Sequence, residues 1–247
     1  MGSVLVGSPA PHRGTLTVEH KVKIGLLDST IGKKAVMAVT GLILFGFVIV
    51  HCLGNLQLFL GADHLNEYAA LLKSLPKVVW ATRITLLVSI LLHIWAMVSL
   101  YKGSMKARPV GYRAKQNKKT TYAAITMRFG GPFLALYVIF HLVHFTFPGI
   151  ALGSYEAHAL TADGHHDLYA AVVNGFRVWW VTLLIYIPAQ IFLGMHLYHG
   201  GWSFLQTLGL SHPRYDNKLR NGAKALGITI AGANIIMPLA VLLGIVS

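Results

Sequence analysis

Residues Ala35–Leu60, AVMAVTGLILFGFVIVHCLGNLQLFL, carry no formal charge, and this stretch restricts the chain more than any other. At about 1.5 Å per residue, a helix of that length crosses the roughly 30 Å hydrocarbon layer of a bilayer. His51 then falls inside the membrane. An unpartnered ionisable side chain is costly there, so His51 is expected to be a ligand, a proton relay or a hydrogen-bonded member of a bundle. The whole chain supports this reading: 55% of its 247 residues are hydrophobic, 12% are charged, and the mean hydropathy is +0.59. These values lie outside the range of soluble domains. The expected fold is an all-α membrane protein, a bundle of five transmembrane helices.

The spans are expected at about 34–60, 80–101, 121–147, 178–205 and 225–246, within an anchor domain covering 28–247. Asp28 or Ser29 is the candidate cap of the first span. Residues 1–27 form an N-terminal arm that lacks the sustained apolar core of a secretory signal, so the first span is expected to be retained. Leu65–Leu75, apolar at helical spacing with Glu67 and Lys73 between, reads as an interfacial helix, and Pro76 as a break before the second span. Residues Pro148–Arg177 read as a long connector. Trp80 and Tyr101 suit interfacial anchors.

The net charge of +13 raises the question of nucleic acid, but the basic residues fall between apolar runs and form no continuous stripe. Of 21 Lys and Arg, seventeen lie in the N-terminal arm, in the second-to-third connector with Arg128, and in the fourth-to-fifth turn. Only Lys73, Lys77, Arg83 and Arg177 lie on the other side. The positive-inside rule then places the N-terminus in the cytoplasm and the C-terminus outside; the expected location is a bacterial cytoplasmic membrane. The single cysteine, Cys52, excludes an intramolecular disulfide, a cysteine-rich metal site and thioether-attached haem.

Four of the five spans carry histidine: His51, His93, His141 with His144, and His196 with His199. Helical rise puts His51 about 25 Å along the first span and His141 about 20 Å beyond Arg128, both in the outer half. Spans two and four run in the opposite direction. His93 lies about 13 Å from Lys102, and His196 about 15 Å from Gln206, both in the inner half. Two pairs at two depths, each drawn from two spans, match the demand of two bis-imidazole haems stacked across a membrane. Gly54, Gly130 and Gly200, at helical spacing from these histidines, are candidate neighbours of a flat macrocycle, and equally candidates for close helix packing. Zinc or copper shared by His141/His144 or His196/His199 is an alternative without a carboxylate or thiolate cluster at the same depth. Met97 and Met195 read as core fillers.

Three motifs, STIGKKAVMAVTGLILF with HCLGNLQ in the first span, RFGG with YVIFHLVHF in the third and MHLYHGGWSF in the fourth, resemble the cytochrome b membrane anchor of succinate dehydrogenases. The similarity is to the five-helix, two-haem type shared with some fumarate reductases, and it covers about residues 28–246. It implies two haem b groups, with His51 and His141 as axial ligands of the outer, distal one and His93 and His196 of the inner, proximal one. His144 and His199 would then bond haem propionates or quinone. The resemblance also implies electron transfer from a flavoprotein subunit and an iron–sulfur subunit to menaquinone or ubiquinone, with the basic connector Lys102–Lys119 as docking surface.

Ser29 and Lys33 resemble the Ser-x-x-x-basic arrangement that holds a quinone carbonyl in relatives. Capping and anchoring explain the same two residues. Where some relatives have a carboxylate after the first span, this chain has Lys73, with Asp63 and Glu67 nearby. Arg83 and Arg177 are candidates to pair with distal haem propionates, or to snorkel to the interface. A quinol:fumarate reductase anchor fits the same residues. A histidine-dependent transporter predicts intramembrane carboxylates or an inverted repeat, and neither is found. A third alternative is a purely structural anchor without haem.

Overall fold

Ser29 opens the first helix. Its backbone is extended and its hydroxyl accepts from the Gly32 amide at 2.9 Å, satisfying an amide that the helix itself leaves orphaned. The computed structural model describes residues 25, 27–107, 120–146 and 167–247. Residues 1–24, residues 108–119 of the connector, and residues 147–166, which include His158, His165 and His166, lie outside the described residues. Helix α1 spans Thr30–Asn55 and continues as a 3-10 turn, Leu56–Leu60. Gly61, at φ 100, then reverses the chain, a conformation open to glycine without a Cβ clash.

Helix α2 covers Ala62–Ser74 and α3 covers Pro76–Lys106. Pro76 occupies the first helical turn, where its missing N–H has no bond to lose. The second span is therefore longer than the sequence suggests, because the proline begins the helix. Thr121 caps α4, Tyr122–Phe145, by accepting from the Ala124 amide at 3.2 Å. Asp167 likewise caps α5, Leu168–Arg177, inside what reads from sequence as connector. The fourth span opens as a π-helical turn, Val181–Tyr186, and continues as α6, Ile187–Thr207. Pro188 follows that turn. It has no amide to donate and its ring crowds the preceding turn, conditions under which a wider turn replaces the α-helix. Helix α7 runs Asp216–Leu242, starting in the basic turn ahead of the expected span.

Five of these helical stretches are long and apolar enough to cross a membrane, and the described residues contain no strand, so the molecule is an all-α integral membrane protein. Helix α6 is the hub, packed against α1, α4 and α7, while α3 lies along α1. The α6–α7 seam is made of small residues: a Cβ on Gly227 would sit 2.6 Å from the Gly194 carbonyl oxygen, and one on Gly194 would sit 2.9 Å from the Ala231 Cβ. The most continuous apolar core lies at one end, where Leu58, Leu65, Val173, Phe176, Val181, Tyr186, Met237 and Val241 are buried together. There α2 is held to the α5 cap, since Asn66 donates to Asp167 at 3.0 Å and accepts from the Tyr169 amide at 3.1 Å. At the opposite end, Asp216 accepts from Trp202 Nε1 (2.8 Å) and from Ser211 (2.9 Å), tying α6 to α7.

Candidate functional site

Two pairs of histidines meet across the bundle. His51 of α1 and His141 of α4 have ring centres 5.8 Å apart, and His93 of α3 and His196 of α6 have theirs 6.2 Å apart. Among the described residues, neither α1 with α4 nor α3 with α6 belongs to the closely packed helix pairs, so the rings reach across a gap. These are the same two pairings that helical rise and charge asymmetry predict.

Each ring is held by its surroundings. His93 Nδ1 lies 3.1 Å from the Met37 carbonyl and 3.2 Å from Thr40 Oγ1 on α1. The Thr40 hydroxyl donates to the Val36 carbonyl at 2.7 Å, so its oxygen is available to accept. Both partners therefore favour a proton on Nδ1 and leave Nε2 as the bare nitrogen. Gly41 admits the ring, for a Cβ there would approach His93 Cε1 to 3.2 Å. His51 stacks on Phe47 with ring centres 5.2 Å apart. His141 Nδ1 lies 3.2 Å from the hydroxyl of Tyr186, and His144 Nδ1 lies 2.9 Å from the same oxygen.

A second polar chain crosses the middle of the bundle beside the first pair. Gln190 donates to Tyr137 Oη at 2.8 Å and accepts from Asn234 Nδ2 at 3.1 Å, linking α4, α6 and α7. The Tyr137 ring lies 5.9 Å from that of His141 and 5.4 Å from that of Tyr186.

The remaining candidates separate from these pairs. A Cβ on Gly54 would meet the Tyr68 hydroxyl at 2.8 Å and one on Gly130 would meet Phe192 at 2.9 Å, so each glycine admits a protein ring. Gly200 faces open space. His199 is half-buried one turn beyond His196, and His144 is buried in an aromatic cluster with Phe140, Phe145 and Tyr186. Arg83 is exposed and lies over the Trp80 ring at 5.2 Å, and Arg177 is exposed at the end of α5. Ser29 serves as the α1 cap, with Lys33 half-buried one turn later on the same face.

The histidine pairs suit a haem on chemical grounds. Two imidazoles bound to one iron from opposite sides have ring centres about 6 Å apart, because each metal–nitrogen bond is about 2 Å and the ring centre lies about 1 Å beyond. Both observed separations match. His196 Nδ1 is buried without a hydrogen-bond partner among the described residues, and its ring faces that of His93. Among the described residues no three His, Cys, Asp or Glu side chains converge, and each meeting brings together two imidazoles.

Tyr186, Thr40, Gln190 and Asn234 are the residues that reading the sequence missed. Gln190 and Asn234 were visible as amides inside apolar spans, where a polar side chain needs a partner. Comparison with protein-family models, with curated proteins and with solved structures finds no match for the chain.

Proposed function

We propose that this chain is the di-haem cytochrome b membrane anchor of a succinate:quinone oxidoreductase. The observation that carries the reading is the meeting of His51 with His141 and of His93 with His196, each at the separation of an axial imidazole pair. In this reading His51 and His141 hold the outer haem, and His93 and His196 the inner one. The haems supply one-electron carriers that span the membrane between an iron–sulfur subunit and a quinone.

The chain's own work is positional. Met37 and Thr40 fix the His93 ring, Tyr186 fixes His141, and the apolar spans exclude water from both sites. The basic surface at the inner ends of the spans receives the iron–sulfur subunit, with the flavoprotein subunit beyond it carrying out the succinate chemistry. Ser29 and Lys33, on one face at the start of α1, are the residues proposed to meet the menaquinone or ubiquinone head there. The N-terminus lies on that cytoplasmic side and the C-terminus outside. The same residues serve a fumarate reductase if the soluble subunits run the reaction in reverse.

The test is a dithionite-reduced minus oxidised spectrum of the purified complex, with haem quantified as the pyridine haemochrome against protein. Two b haems per chain are expected. None would overturn the proposal in favour of a haem-free anchor or a transporter.

A further inference from the structure

Tyr186 brings one hydroxyl to two histidines of the same helix, and this arrangement is not required by packing alone. The side chain is 3% exposed and projects from the π-helical turn, whose extra residue rotates it toward α4. The rings of Tyr137, Phe140, His141, His144, Phe145 and Phe176 lie around it with centres between 4.8 and 6.1 Å away. The ring is thus held in place whether or not it carries an oxygen. The oxygen itself contacts His141 Nδ1 at 3.2 Å and His144 Nδ1 at 2.9 Å.

We propose that Tyr186 is a positioning residue for the His51/His141 site: with His141 paired to His51, it holds His144 in the opposite tautomer and sets the reduction potential of the haem held there, through a directed chain from His141 to Tyr186 to His144. This rests on the haem reading of the histidine pairs. A neutral imidazole that binds iron through Nε2 keeps its proton on Nδ1, so His141 donates to the Tyr186 oxygen. The tyrosine proton is then directed to His144 Nδ1, which must be the bare nitrogen. His144 therefore carries its proton on Nε2 and has no free electron pair for iron. His51 breaks the remaining symmetry, because its ring pairs with His141.

Such a chain has a definite electronic sign. Donation from Nδ1–H raises the basicity of the ligating imidazole and favours ferric over ferrous iron, lowering the potential. Donation by Tyr186 to His144 strengthens its oxygen as an acceptor, so both links act in the same direction.

The experiment is redox potentiometry of the intact complex, following the two b haems separately, in wild type, Tyr186→Phe and His144→Phe. Tyr186→Phe keeps the ring packing and removes the oxygen. The expected result is an upward shift of the outer-haem potential by a roughly tenfold change in the ferric/ferrous ratio, about 59 mV for a one-electron couple, with the inner haem unmoved. His144→Phe keeps Tyr186 and a ring at position 144 and removes the Nδ1 acceptor. It should move the same potential upward by less, with two haems retained. An unmoved outer potential in Tyr186→Phe overturns the proposal, as does an equal shift of both haems. If Tyr186→Phe loses the outer haem, His144→Phe decides: an unmoved potential there overturns it. Wild-type complex without b-type bands would overturn the haem reading itself, a result separate from any of these.

Discussion

Gly227→Ala is the smallest change that the geometry predicts to be disruptive. The added Cβ would sit 2.6 Å from the carbonyl oxygen of Gly194 and 3.2 Å from the Tyr198 nitrogen, both backbone atoms of α6. Backbone cannot rotate aside as a side chain can. An ordinary carbon–oxygen contact is about 3.3 Å, so α6 and α7 must part by roughly 0.7 Å along their closest seam. Overpacking of this kind costs about 1–3 kcal/mol, against which alanine's helix propensity returns at most about 1 kcal/mol. At about 2–4 °C per kcal/mol for a chain of this size, the melting temperature should fall by several degrees. The assay is thermal unfolding of the purified protein in detergent. Gly46→Ala is the matched control, because a Cβ there would meet nothing within 4 Å, and it should melt no lower than wild type. Equal stability of the two variants would refute the argument that backbone contact joins α6 to α7.

On the proposed di-haem reading, replacing His93 or His196 by alanine should remove the inner haem and leave outer-haem absorbance, as read in the reduced-minus-oxidised spectrum; equal loss of both haems from each variant would argue against separate pairs. Gln190→Leu strands Tyr137 Oη and Asn234 Nδ2. At about 0.6 kcal/mol for each bond within a membrane, it should lower the melting temperature by a few degrees, and no change would mean that the chain is not stabilising. On the same proposed reading, Lys33→Gln should slow quinone reduction with haem content intact, and unchanged quinone kinetics would remove Lys33 from the proposed quinone site.

The histidine pairing was legible in the sequence because it depends on few quantities. Successive spans run in opposite directions and level follows from helical rise, so His51 falls beside His141 and His93 beside His196. The glycines were not legible in the same way. Gly54 and Gly130 stand at the right spacing from the histidines, yet Tyr68 and Phe192 take the space beside them, while Gly41 is the one that admits His93. What a glycine makes room for depends on the neighbouring helix, which one-chain periodicity does not reveal.

Sequence by itself determined the membrane environment and the number of spans, because apolar length acts along one helix at a time. Of the caps, Ser29 was one of two candidates read from the sequence, whereas those at Thr121 and Asp167 were not, and α5 behind Asp167 passed for connector. Only the tertiary structure decided which helices touch, how the π-helical turn aims Tyr186 at His141 and His144, and which amides meet in the Tyr137–Gln190–Asn234 chain. Those outcomes depend on the rotation of one helix against another. Rotation is set by the fit of small-residue seams such as Gly194 against Gly227, where contacts of a few ångströms between distant parts of the chain decide the register.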